Sequence, residues 1–121
     1  ALNLEFDDRY RNASNALWCH RMHFRPAIQL SVLWGGIESL FLIEKSIKKN
    51  LSLAASRFIY GDDRMANNIR ELYESRCKAV HEFKNAEAEI KDNSAKLLHQ
   101  LIISCVERNS LPDVSQLLKD Q

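Results

Sequence analysis

Apolar residues recur at intervals of three or four along most of the chain, the spacing that lines one face of an α-helix. From Phe6 to Phe24 the series Phe6, Tyr10, Ala13, Leu17, His20 and Phe24 predicts a first helix, with Asp7 and Asp8 where acidic groups suit a helix start. Pro26 fits the first turn of a second helix, which the pattern carries from Ile28 to about Lys48. That segment is apolar almost all round, as a buried central helix is, and Lys45, Lys48 and Lys49 supply cations for its C-terminal end. Gly35 and Gly36 weaken a helix interior unless another backbone must come close, so a tight crossing is expected there.

Leu51 to Tyr60 reads as a short third helix closed by Gly61, after which Asp62 or Asp63 can cap a fourth helix beginning near Arg64. In that fourth helix Met65, Ile69, Leu72, Val80 and Phe83 form one apolar stripe. Glu87 to Arg108 predicts a fifth helix with Leu97, Leu98, Leu101, Ile102, Cys105 and Val106 inward, and a short sixth helix carries Val114, Leu117 and Leu118 after Pro112. No repeat or low-complexity linker interrupts the series. With three Gly and two Pro in 121 residues, tight turns between strands are poorly served and long helices meet few breakers. The expectation is an all-α fold: one compact helical domain over residues 1–121, with about five main helices and a short C-terminal one. The start at Ala1, without Met or a signal-peptide pattern, fits a domain cut from a longer polypeptide.

Seventeen basic and sixteen acidic side chains leave a formal charge of +1, so no chain-wide pull toward nucleic acid exists and any RNA contact must be local. Cys19, Cys77 and Cys105 are odd in number and lack a CxxC spacing; they read as reduced, small core residues in a cytoplasmic setting. The greasiest run, Ile28 to Ile43, is broken by Gln29, Gly35, Gly36 and Glu38, short of the roughly 18 apolar residues of a membrane span.

One residue in the fourth helix breaks its own pattern. Arg76 lies seven positions after Ile69 and seven before Phe83, which at about 100° per residue puts it on the core-facing side. A cation there needs a carboxylate, an anionic ligand, or an opening to a cleft or second subunit. Glu38, set in the apolar second helix, is the carboxylate expected to meet it, and the plain reading is a structural ion pair between two helices.

The local string LYESRCKAVHEF holds Arg76 and His81 separated by four residues. It resembles the Arg-x4-His motif of the HEPN family, and WGGIESLF at Trp34 to Phe41 is similar to the acidic second-helix segment of Apea-like HEPN domains. Ala55, Ser56 and Arg57 are similar to that group's small-residue and Arg segment. The resemblance runs from the first helix through the fifth. It implies a homodimeric helical bundle whose motifs meet across the interface and, in active members, a metal-independent endoribonuclease that needs no cofactor. It implies a toxin or antiviral-defence setting, with RNA as substrate and an antitoxin or attached regulatory domain as further partner. His81 would move a proton to or from the ribose 2′-hydroxyl or the leaving oxygen, and Arg76 would hold phosphate oxygens, with Glu38, Ser75 and Cys77 in support. On one straight helix the pair stands about 140° apart, so a distortion at the helix end or a second protomer must bring the two together. Cys77 stands where many catalytic members carry Asn, Asp or His, and Glu82 where Gly is common. A non-catalytic HEPN domain that dimerises or binds RNA or nucleotide therefore stays open as the alternative.

Other candidates have plainer readings. Cys19 and His23 stand four apart on one helix face, but paired ligand spacing is absent elsewhere, so a metal site with His20 and the distant His99 is not expected; His20 is expected on a helix face with a hydrogen-bond partner, and His99 in solvent. Trp18 and Trp34 read as core or interface anchors rather than base-stacking platforms. A thiol nucleophile at Cys77 lacks an oxyanion site, and Ser75 lacks a base.

Overall fold

In the computed structural model the chain is described over residues 4–81 and 88–120, residues 79–81 by their backbone alone. Among the described residues six α-helices follow one another: α1 (Asp8–Cys19), α2 (Pro26–Phe41), α3 (Ile47–Tyr60), α4 (Ala66–His81), α5 (Ala88–Arg108) and α6 (Val114–Leu117). Short 3-10 turns occupy Leu4–Phe6 and His20–Met22, and the described residues contain no strand. The all-α bundle expected from the pattern is the observed architecture.

α2 is the centre. Leu30, Leu33, Trp34, Ile37 and Leu40 are at most 1% exposed, and α1, α4 and α5 surround them. Leu98, Leu101 and Cys105 of α5 and Ala54, Ala55 and Phe58 of α3 complete the core. Gly36 is where backbones meet: a Cβ there would lie 2.6 Å from Ala16 Cβ of α1. At Gly35 nothing stands within 4 Å of such an atom, so the close crossing expected of both glycines belongs to Gly36 alone.

Several boundaries differ from expectation. α1 stops at Cys19 rather than reaching Phe24, because Pro26 sterically favours an extended residue before it and Arg25 takes φ −88°, ψ 127°. Phe6 and Phe24 are accordingly exposed, not members of a buried face. α2 ends at Phe41, where Leu42 turns left-handed at φ 52° and donates its N–H to Glu38 O. Ser46 is left-handed too, and a new helix starts at Ile47, so Lys48 and Lys49 sit in the first turn of α3 instead of the last turn of α2. Cations are disfavoured at that end of a helix; Glu74 of α4 offsets Lys48 across a 2.9 Å ion pair, which holds the Glu74 carboxyl below the usual range.

The Gly61 cap forms as expected, with φ 79° and its N–H bonded to Arg57 O. The Asp62 side chain accepts the Arg64 N–H at 3.1 Å in the turn just ahead of α4. Ser56, buried in α3, does the equivalent work: its hydroxyl donates to Asp62 O at 2.7 Å and accepts from Met65 N–H at 3.2 Å. In α5 the inward set holds except Val106, which is 56% exposed. Cys19 is exposed rather than core, Cys77 is half-buried, and Cys105 is buried, which pushes its thiol pKa up to about 11. The start expected for α5 at Glu87, and the stripe positions Val80 and Phe83, lie outside what is described. Among the described residues no helix is long and apolar enough to cross a membrane.

Candidate functional site

Trp34 and Glu38 are one turn apart on α2, and Tyr73 and Arg76 are three apart on α4, so each pair shares a helix face. Where the two helices pack, these four side chains meet. Arg76 Nη2 donates to Glu38 Oε1 at 3.2 Å, the partner expected from sequence. The guanidinium carbon lies 4.4 Å from the Tyr73 ring centre and 5.7 Å from that of Trp34, close enough for the negative ring faces to attract it. The rings themselves meet edge to face, with centres 5.4 Å apart and planes at 85°.

Behind them, Trp34 Nε1–H donates to Ser94 Oγ at 3.0 Å, and that hydroxyl donates to Ile90 O at 2.8 Å. α2, α4 and α5 are thus joined through one connected group. The Arg76 side chain is 15% exposed and that of Glu38 41%, so the pair sits at the rim of the core with the carboxylate on the wet side. Arg76 Nε is buried and has no hydrogen-bond partner among the described residues. Burial raises the Tyr73 pKa; the Arg76 charge opposes that shift and Glu38 adds to it. What the arrangement offers chemically is a guanidinium oriented by two aromatic rings and, at one nitrogen, by a carboxylate.

The other supporting residues are not gathered here. Ser75 donates its hydroxyl to Glu71 O of its own helix at 2.9 Å and lines a separate groove of about 590 Å³ between α4 and α5. Cys77 is half-buried with a free thiol. The backbone of His81 ends α4, and its side chain lies outside the described residues, as do Glu82 and Phe83. His20 is buried with Nδ1–H directed at Leu17 O, 2.7 Å away, and His99 is exposed, both as expected. Trp34 is a core anchor, whereas Trp18 is 80% exposed and anchors no core. Among the described residues no three His, Cys, Asp or Glu side chains come close enough together to hold a metal ion.

Two features went unread in the sequence. Tyr73 was legible in principle, since its three-residue offset from Arg76 stacks the two on one face. Arg57 was matched only as part of a segment, yet it grips Asp63 and Asp120 with paired hydrogen bonds and the Leu117 carbonyl with another, tying α3 to the C-terminal segment. Contacts 60 and more residues apart leave no periodic trace. Compared with known proteins, the chain matches no family model, no curated protein and no solved structure.

Proposed function

We propose that this chain is an RNA-acting HEPN-type domain in which Arg76 and His81 carry metal-independent endoribonuclease chemistry. The observation that supports it most directly is the setting of Arg76: an arginine at the rim of the core, oriented by Glu38, Trp34 and Tyr73, with a buried Nε that finds no hydrogen-bond partner among the described residues. An arginine held this way is poised to meet phosphate oxygens without first losing the freedom of a loose side chain.

The chemistry in this reading is transesterification. The ribose 2′-oxygen attacks the adjacent phosphorus as its proton passes to a base, the P–O2′ bond forms and the P–O5′ bond breaks. The leaving oxygen is protonated, giving a 2′,3′-cyclic phosphate and a 5′-hydroxyl. His81 is assigned the proton transfers, and Arg76 the charge that grows on the phosphoryl oxygens. A homodimer that brings two such pairs together, a cytoplasmic toxin or antiviral-defence role, and an antitoxin or attached regulatory domain as partner rest on the resemblance of LYESRCKAVHEF and WGGIESLF.

The second reading, a non-catalytic HEPN-type domain for dimerisation or for RNA or nucleotide binding, is favoured by the engagement of Arg76 itself, since its contacts with two rings and one carboxylate already serve the α2–α4 contact. Labelled RNA incubated with the protein in chelator separates the two. Cleavage that falls at least about 100-fold in both Arg76→Ala and His81→Ala, with helical circular dichroism retained, is the outcome expected of the nuclease. Equal cleavage by all three proteins, or none by the wild type, contradicts it. Light scattering on the same samples tests the dimer.

A further inference from the structure

A second groove, about 560 Å³, runs between α1, from Tyr10 to Trp18, and α5, from Ala95 to Ile102. Its size falls within the roughly 300–1,000 Å³ typical of small-ligand sites. Trp18, at the end of α1, presents an indole that is 80% exposed. Arg21 follows in the adjoining 3-10 turn, and Lys96 and His99 stand three apart on α5, so both project from one helix face into the groove. His20 adds a buried imidazole whose Nδ1–H is fixed on Leu17 O. None of the ten lining residues carries a carboxylate.

That composition departs from the chain as a whole, which is nearly neutral at +1. A large, flat, wet aromatic surface beside two permanent cations matches a ligand that alternates flat rings with negative charge. We propose that this groove binds single-stranded RNA, stacking a base on Trp18 and meeting the flanking phosphates with Arg21 and Lys96. The stacking and charge chemistry stands on the groove alone; the choice of RNA rests on the reading of the Arg76 site given above.

A fluorescein-labelled 2′-O-methyl uridine decamer is the probe, followed by anisotropy. It lacks the attacking hydroxyl, so binding is read without cleavage. Saturable binding is expected, weakened roughly fivefold or more in Trp18→Ala, since one stacked base contributes about 1–3 kcal/mol. In the double variant Arg21→Ala/Lys96→Ala the slope of log affinity against log salt should shrink by about 1.4, two cations' worth on a single strand. Unlabelled decamer should change the indole emission of the wild type and not that of Trp18→Ala, because the only other tryptophan, Trp34, is buried. All three substituted side chains are exposed, and thermal melts should match the wild type.

Cleavage of unmodified RNA by the wild type is measured beside it: decamer binding without cleavage marks a failed cleavage site, and cleavage without groove-dependent binding marks a failed groove. Absence of binding, or affinity unchanged in both groove variants, overturns the proposal. Displacement of the decamer by polyglutamate at equal charge concentration overturns it in favour of an acidic protein segment as the occupant.

Discussion

Gly35 and Gly36 are neighbours with opposite duties, and the difference is measurable. Alanine at Gly36 must push α1 and α2 apart against the Ala16 methyl, and a loss of about 1–3 kcal/mol in denaturant unfolding is expected. Alanine at Gly35 meets open space and removes the entropic penalty of a helical glycine, so a gain of about 1 kcal/mol is expected. The sequence marks both glycines equally, because the 3.6-residue period tells which face a residue is on but not what stands opposite. Arg76 is the contrary case. A cation inside an apolar stripe is a conflict with few resolutions, and only Glu38 breaks the apolar run of α2 with a charge, so the pair was readable from sequence alone. The rings of Tyr73 and Trp34 that flank it follow from a helix crossing that periodicity does not encode.

At the level of elements, helix type was legible and helix ends were not. The apolar pattern runs on past Phe41, yet two left-handed residues, Leu42 and Ser46, fold the chain back so that α3 can pack on α4. Neither is the glycine that usually announces such a turn. α6, with four residues, is too short to persist unaided, and it depends on its packing and on Arg57. Arg57→Ala should therefore speed hydrogen exchange at the Leu117 and Leu118 amides well before it affects the core. Acid should do the same. Its bond to Arg57 holds the Asp63 carboxyl below the usual range, so this contribution is complete above the ordinary aspartate pKa near 4 and fades as pH falls through the lower folded value. Exchange at those two amides, corrected for intrinsic rates at pH 6 and pH 3, checks the expectation; equal protection at both pH values would contradict it.

Taken whole, the molecule is a central helix wrapped by its neighbours, and its class was legible because scarce breakers and a steady period leave few other solutions. The order of helices also carried through, while surface grooves did not, since each depends on how helices cross and not on the period within one. Trp18 shows why: in an α1 read alone it resembles an anchor, and only the placement of α5 beside it leaves the ring in solvent.

The position of α5 in that order has a consequence for how the protein comes into being. α2 is synthesised well before much of its cover, Leu97, Leu98, Leu101 and Cys105 of α5. A growing polypeptide that has reached the end of α4 must carry Trp34 and the leucines around it without a lid. Truncation at His81 is expected to yield a product that binds a hydrophobic dye and sediments with aggregates, whereas the full chain stays dispersed.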